Sequence, residues 1–160
     1  MRALLIVLAA GPALADETLV FRPELIDSCL ANGGGRACIG VSVEPCSAET
    51  EGGYTTMGWA QCVDAELHWW EARMAATLDA RRAYADAIDA EGTPEGWAER
   101  PSDRVALEKV QQAWQAFRDT ACTYEAQQYW GGTGMGGAGL SCQMRLTAEQ
   151  VFYLQELADR

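Results

Sequence analysis

Acidic side chains beside a tryptophan pair are the first residues in this sequence that could do chemistry. The pair Trp69-Trp70 is flanked by three carboxylates, Asp64, Glu66 and Glu71. Acids next to aromatic rings are typical of sites that bind and cleave sugars, but Glu66 and Glu71 are five residues apart and point to different faces of a helix. Because the chain has 23 acids, such neighbours arise by chance, and we interpret these carboxylates as a solvated face.

Two further patterns resemble catalytic or cofactor motifs, and each lacks a part that its chemistry needs. His68 is the single histidine, it lies beside an apolar helical stripe, and no Gly-x-Ser-x-Gly elbow occurs in the chain. Gly132-x-Gly134-x-x-Gly137 has the spacing of a dinucleotide fingerprint, but that fingerprint follows a strand and here a helix is predicted before it. We therefore expect a flexible surface loop here, no catalytic residues and no cofactor.

The first fifteen residues predict export. Met1-Arg2 is a positive start, Ala3 to Ala10 is an apolar run, and Ala13 and Ala15 are small residues at the −3 and −1 positions of a cleavage site. The apolar run is too short to span a bilayer, and no cysteine follows the cleavage site for a lipid anchor. We expect a signal peptide at residues 1–15, rather than a buried strand or helix, and a periplasmic or secreted protein without a membrane anchor.

Six cysteines in an exported chain predict structural disulfides. Fifteen pairings are possible, and the isolation of the last two cysteines favours a bond between them, so that the first four pair as neighbours. The favoured pairs are Cys29–Cys38, Cys46–Cys62 and Cys122–Cys142. No Cys-x-x-Cys motif is present, and we therefore expect neither a metal site nor a redox-active dithiol.

The charge balance limits the classes of partner. The 160 residues include 12 basic and 23 acidic side chains, for a net charge of −11. Nucleic acids are excluded as partners, because binding to phosphates depends on Lys and Arg. A cationic partner suits this chain better. Its length and its 49% hydrophobic residues are those of one ordinary globular domain.

The elements that position these residues are helices. Residues 16–57 contain three cysteines and several glycine or proline breaks, which predicts an irregular, disulfide-pinned cap with at most a short helix over 23–30. From 58 to 160, apolar residues recur at spacings of three and four. The first stripe is Val63, Leu67, Trp70, Met74 and Leu78, and the second is Leu107, Val110, Trp114, Phe117, Ala121, Tyr124 and Gln128.

These stripes predict a mainly α fold, with an antiparallel helical hairpin and a short C-terminal helix. Two long helices joined by a short connector pack antiparallel, and Trp97 in that connector is expected to fold back onto them. Thr147-Ala148-Glu149-Gln150 has the form of a capping box and predicts a last helix from 148 to 158. The cap and the helices together are expected to form a single domain.

The second helix and its surroundings resemble a known family. Gln-x-x-Trp-x-x-Phe-Arg-Asp-x-x-Cys at 111–122, Gly-Gly-Thr at 131–133 and the later cysteine and threonine are similar to the LprI-like lysozyme-inhibitor domain family. The residues that carry the motif are Trp114, Phe117, Arg118, Asp119, Gly131, Gly132 and Thr147. Two family positions differ, since Met74 to Leu78 replaces Leu-Asn-x-x-Tyr and Thr147 to Gln150 replaces Thr-Arg-x-Arg.

The resemblance implies an exported, non-catalytic helical module that binds a cationic lysozyme-type hydrolase. It also implies that Cys46 and Cys62 form the first disulfide of the family, and that Arg118 and Asp119 orient helices or the glycine loop through ion pairs. An inhibitor needs a protruding element, and the candidates are Trp130, Gly134 and Met135 in and beside the glycine loop, unless Trp130 packs against that loop. The alternative function is that of a structural or adaptor protein of the cell envelope with no lysozyme contact.

Overall fold

The computed structural model describes residues 19–158, and in that range the chain has helices and no strand. The elements are α1 (Pro23–Ala31), a 3-10 turn (Gly35–Cys38), α2 (Val43–Glu49), α3 (Thr56–Glu91), α4 (Asp103–Gln127) and α5 (Met135–Glu156). The mainly α fold class is confirmed. The predicted signal peptide lies outside the described residues. No helix in the described part of the chain has the length and apolarity that are needed to cross a membrane.

The three long helices form a bundle in which α4 is antiparallel to the other two. Helix α3 begins where the Thr55 hydroxyl accepts a hydrogen bond from the Gly58 amide at 3.0 Å, and it ends at Gly92, whose φ of 72° stops helical geometry. Its 36 residues span about 54 Å. Side-chain contacts from α4 reach progressively earlier residues of α3 along the chain, which is the pattern of antiparallel neighbours.

The core lies where α3 and α5 pack in parallel beneath the N-terminal segment. Trp70 is fully buried, and its ring centroid lies 4.8 Å from that of Trp69 and 5.8 Å from that of Phe152. The core residues come from α1, α2, α3 and α5 and include Ile26, Val43, Val63, Leu67, Trp70, Ala148 and Val151. Helix α4 contributes one buried residue to the interior, Cys122, which is bonded to Cys142 of α5.

The N-terminal segment, residues 19–55, is a disulfide-pinned cap that contains more helix than the sequence predicts. It has two short helices and a 3-10 turn, and Ile26 and Val43 bury their side chains in the core. The sequence does not predict these helices well, because they are too short to show a sustained hydrophobic period. Cys29–Cys38 closes α1 onto the turn, and Cys46–Cys62 joins α2 to α3. The Arg36 guanidinium lies 2.7 Å from a Glu149 carboxylate oxygen and so ties the cap to α5.

Helix α5 begins at Met135, and the expectation of a flexible glycine loop with a short last helix from residue 148 is wrong in this respect. The glycines allow close packing, because a Cβ atom at Gly137 would lie 2.9 Å from the Trp59 ring and one at Gly139 would lie 3.5 Å from Ala126. This packing offsets the helix-propensity cost of about 1 kcal/mol per glycine. Thr147 is consequently a buried residue inside α5 and not a helix cap.

Helix α4 is rotated relative to the prediction. Val110, Phe117 and Tyr124 were expected in the core, but they are 40%, 60% and 65% exposed. Leu107, Trp114 and Ala121 of the predicted stripe are half-buried, but polar side chains such as Gln111 and Arg118 share that face with them. Cys122 is the one fully buried residue of the helix. The spacing of apolar residues identifies the helix but not its buried face. A hydrophobic period locates only apolar side chains, whereas polar side chains also make the contacts here.

Candidate partner-binding surface

Glu66 holds the cap on α3 and has no access to solvent. Its carboxylate accepts hydrogen bonds from the Gly40 amide at 2.6 Å, the Ser42 amide at 3.0 Å, the Ser42 hydroxyl at 2.6 Å and the Trp70 indole at 3.0 Å. The interpretation of this residue as part of a solvated face is therefore wrong. Two oxygens that accept four donors form a structural anchor between α3 and the cap.

The fold does not bring the candidate catalytic side chains Glu66, His68 and Glu71 together. Glu71 lies 3.5 Å from the Arg118 guanidinium. His68 is exposed, and its Nδ1 lies 2.9 Å from the carbonyl oxygen of Asp64, one helical turn earlier. Glu66 is buried beneath the cap. The three side chains therefore have three separate sets of partners.

Arg118 joins all three long helices. Its Nη1 donates to the Thr147 hydroxyl of α5 at 3.3 Å and lies 3.5 Å from Glu71 of α3. On α4 itself, Nε and Nη2 each donate to Asp119 at 3.1 Å, and the guanidinium lies 5.1 Å from the centre of the Trp114 ring. Arg118 is mostly buried, so these contacts fix the rotation of α4 against its neighbours.

The remaining motif residues extend this polar contact or point away from it. The Gln150 amide of α5 donates to the Gln111 side chain of α4 at 3.1 Å. The Cys122–Cys142 bond links the same two helices further along. Phe117 points outward to solvent. The motif is thus mainly a set of helix-joining residues, and Phe117 is its exception.

The turn between α4 and α5 is short and protrudes. Gly131 has a φ of 79°, and the Gly132 amide donates to the Tyr129 carbonyl at 2.9 Å, so the chain reverses within a few residues. A Cβ atom at Gly134 would lie 3.5 Å from the Tyr129 ring. Trp130 is 80% exposed, so most of its surface is not covered by the glycine loop. The Cys122–Cys142 disulfide closes this turn and holds it at one end of the bundle.

Further apolar side chains are exposed at the same end. The start of α5 packs on Trp59, which places the first turn of α3 and the segment before it beside the α4–α5 turn. We call this surface the aromatic end, and its members are Tyr54, Met57, Trp59, Tyr129 and Trp130. A group of exposed aromatic and methionine side chains is characteristic of a protein-binding surface.

Acidic groups lie next to Tyr54 at the aromatic end. The Tyr54 hydroxyl donates to Glu44 at 2.8 Å, and this hydrogen bond raises the pKa of Tyr54 above its ordinary value. Glu51 is exposed in the turn that precedes Tyr54. An apolar centre with carboxylates at its edge matches a partner that presents basic side chains around an apolar patch.

The opposite end of the bundle carries polar clusters and one exposed tryptophan. Asp89 of α3 accepts from the Ser102 hydroxyl at 2.6 Å and from the Asp103 amide at 2.7 Å, which caps α4 and lowers the pKa of Asp89. Glu108 pairs with Arg82 at 2.8 Å, and this bond lowers the pKa of Glu108. Trp97 in the connector is 77% exposed, and the expectation that it folds back onto the helices is wrong.

The sequence reasoning found Trp130 but missed the rest of the aromatic end. Tyr54, Met57 and Trp59 are more than 70 residues from Trp130 in the sequence, and only the packing of α5 on α3 brings them to one end. The one local feature of the sequence that points to this surface is the adjacent pair Tyr129-Trp130, directly before a glycine run. The role of Glu66 had no local signal, because its four donors come from the cap and from the next helical turn.

Comparison with known proteins identifies the family. A protein of Rhodobacter capsulatus, named an uncharacterized 17.7 kDa protein in the puhA 5′ region, is 28% identical over 122 residues, which are 76% of this chain and 75% of that protein. Comparison with solved structures yields no match. The sequence profile of the family described as lysozyme inhibitor LprI matches residues 46–154. That match covers most of the bundle, and the protein belongs to the LprI family of lysozyme inhibitors.

Proposed function

We propose that this protein is an exported, non-catalytic inhibitor that binds a cationic lysozyme-type hydrolase through its aromatic end. Trp130 carries the proposal, because it is exposed at the tip of a turn that a disulfide closes. The family supplies the class of partner. Trp130, Gly134 and Met135 form the proposed contact, together with the exposed side chains of α3 at the same end.

The short turn favours tight binding. A long glycine loop would lose conformational entropy on binding, whereas here the glycines from Gly136 onward belong to α5 and only Gly131, Gly132 and Gly134 lie in or beside the turn. The Gly132 amide is already bonded to Tyr129 in the free protein. A preorganised Trp side chain at the centre of an interface is the usual form of a binding hot spot.

The net charge of −11 contributes mainly to the rate of encounter. A chain with about twice as many acids as bases attracts a cationic enzyme from solution, and this attraction weakens as salt shortens the Debye length below about 10 Å. Apolar contacts at the aromatic end depend less on salt. We therefore expect a salt-sensitive association rate and a less sensitive dissociation rate.

The test is inhibition of a c-type lysozyme by the purified protein in low salt, with wild type and Trp130→Ala compared. Wild type is expected to inhibit, and the variant is expected to bind about 30-fold more weakly because a central tryptophan contributes about 2 kcal/mol or more. Trp97→Ala is the matched control, since Trp97 is almost equally exposed at the opposite end. It is expected to inhibit as wild type does.

Two results would contradict the proposal. Absence of inhibition by wild type at a tenfold molar excess in low salt would favour the structural or adaptor role in the cell envelope. Equal loss of inhibition in Trp130→Ala and Trp97→Ala would show that the aromatic end is not the contact surface. Melting curves of both variants confirm that they are folded.

A further inference from the structure

A groove lies at the place where α5 ends between α3 and α4. Helix α5 ends at Glu156 beside residues 81–85 of α3, several residues before α3 itself ends at Glu91. The groove has a volume of about 180 Å³, close to that of an engineered cavity of about 150 Å³ that holds benzene in another protein, and is too small for a helix or a strand of a partner. We call it the Arg81 groove, and the side chains that line it include Arg81, Tyr84, Leu107, Val110, Tyr153 and Leu157.

Arg81 interrupts the side of α3 that packs into the bundle. Leu78, three residues before it, and Ala85, four residues after it, are both buried, so this side of the helix faces the interior. The Arg81 guanidinium lies 4.6 Å from the centre of the Tyr84 ring, and its Nε is shielded from solvent and has no hydrogen-bond acceptor. Native proteins seldom leave such a donor unpaired, because it loses its hydration and gains no bond in return.

Arg81 also has no carboxylate partner among the described residues, which sets it apart from most arginines of this chain. Seven of the nine arginines between residues 19 and 158 form an ion pair with a carboxylate, and the exceptions are Arg73 and Arg81. One acid, Asp103, lines the groove, and its carboxylate lies 3.0 Å from Arg100. The charge of Arg81 is therefore available to a carboxylate that a ligand supplies.

We propose that the Arg81 groove binds a small carboxylate that has an apolar body, of the size of one aromatic ring or a short alkyl chain. The ligand carboxylate accepts hydrogen bonds from the Arg81 guanidinium, and the apolar body packs among the lining side chains of α4 and α5. A mainly apolar pocket with one polar group that fixes the orientation is the usual form of a small-molecule site. An inorganic anion fits less well, since it has no apolar part to bury there.

The groove is separate from the proposed lysozyme contact. Helix α5 begins at the aromatic end and reaches the groove with its last residues, and its 22 residues span about 33 Å. The proposal does not rest on the proposed function, since its observations are the groove, its lining and the unpaired Arg81.

The first test follows the backbone amide resonances of the full chain during titration with phenylpropionate, which joins one ring to one carboxylate. Saturable shifts are expected around Arg81, Leu107 and Tyr153, and none at Trp130. Phenylpropanol lacks the charge and acetate lacks the ring, and each is expected to bind at least about tenfold more weakly. Absence of saturable shifts at the groove, or equal binding of phenylpropionate and phenylpropanol, would overturn the proposal.

The second test assigns the contact to Arg81 through Arg81→Met, which removes the charge and keeps an apolar stem. Phenylpropionate is expected to bind this variant about tenfold more weakly, whereas phenylpropanol is expected to bind it as it binds wild type. Arg73→Met is the matched control, because Arg73 lies over the Trp69 ring outside the groove, and it is expected to bind both ligands as wild type does.

Two results of this second test would overturn the proposal. Equal weakening of phenylpropionate binding in Arg81→Met and Arg73→Met would show that only the net charge matters. A tenfold gain in affinity in Asp159→Asn would show that a carboxylate of the chain itself is the partner of Arg81.

Discussion

The N-terminal cap and α4 are attached to the α3–α5 pair by different means. The cap has one disulfide to α3, a second disulfide within itself, an apolar anchor at Ile26 and three hydrogen bonds to the buried Glu66 of α3. Helix α4 has one disulfide, the Arg118 cluster, the amide pair of Gln111 and Gln150, and ion pairs to α3. The cap turns its apolar side chains inward, whereas α4 turns several of its largest ones outward.

This difference separates the stabilising part of the molecule from the part that is available for partners. Polar and covalent contacts place α4 without using its apolar face, so that face and the aromatic end stay exposed. Cooperative unfolding should then depend mainly on the cap and on the α3–α5 core. Changes at the most exposed side chains of α4, Phe117 and Tyr124, should leave the fold intact.

The largest expected effect is the loss of Glu66. Glu66→Ala leaves the Gly40, Ser42 and Trp70 donors unpaired in the interior, and we expect the free energy of unfolding to fall by about 3–5 kcal/mol. Urea denaturation measures it. Glu99→Ala, which removes an exposed acid of the connector, is the control and should change stability by less than about 0.5 kcal/mol. Equal stability of the two variants would show that the cap is not anchored as described.

Removal of the disulfides compares the two attachments directly. Replacing both Cys122 and Cys142 by Ala opens a loop of 20 residues, and the same change at Cys46 and Cys62 opens a loop of 16, so each change should cost about 3 kcal/mol. Denaturation of the two variants measures this. Lysozyme inhibition should distinguish them more clearly, because the first change frees the turn that carries Trp130. Unchanged inhibition in both would contradict the link between that disulfide and the aromatic end.

Acid should loosen the α3–α4 attachment through Asp89. The pKa of Asp89 is lowered in the folded state, so its stabilising effect is complete above the unfolded pKa and is lost as the pH falls through the folded pKa. Asp89→Asn should therefore lower the melting temperature at pH 7, and the difference from wild type should shrink in acid. Melting curves at several pH values test this. A difference that grows on acidification would contradict the capping role.

The smallest expected effect is at Phe117. Phe117→Ala should change the free energy of unfolding by less than about 0.5 kcal/mol, because the side chain is 60% exposed. A fully buried phenylalanine would cost about 3–5 kcal/mol, and such a loss would show that the α4 stripe is packed inside the bundle after all. Urea denaturation of wild type and Phe117→Ala measures the difference.

The sequence predicts the helices better than their rotation. The stripe that contains Val63, Leu67 and Trp70 identifies both the helix and its buried face, because that face is apolar. The stripe through Phe117 identifies its helix but not the buried face, because α4 makes its contacts with Gln111 and Arg118. Positions of polar contacts depend on residues that are distant in sequence, such as Thr147 for Arg118, and a periodic pattern contains no such information.

The glycine-rich stretch shows the same limit. Six glycines between 131 and 139 are typical of a loop, and local propensity alone favours that interpretation. Gly137 is nevertheless helical, and the Trp59 ring occupies the space that a side chain at this position would need. The aromatic end follows from that single contact, since it brings the start of α3 next to Trp130. The sequence alone therefore could not predict which residues form the aromatic end, although it did predict Trp130 as a contact residue.

The most direct test of the central claim is amide hydrogen exchange of the full chain with and without a c-type lysozyme. The account predicts added protection at the α4–α5 turn, residues 129–135, and at the start of α3, residues 54–59. It predicts no change in the connector that carries Trp97. Protection confined to the connector or to residues 19–53 of the cap, or no protection at any position at saturating lysozyme, would contradict the assignment of the aromatic end as the contact surface.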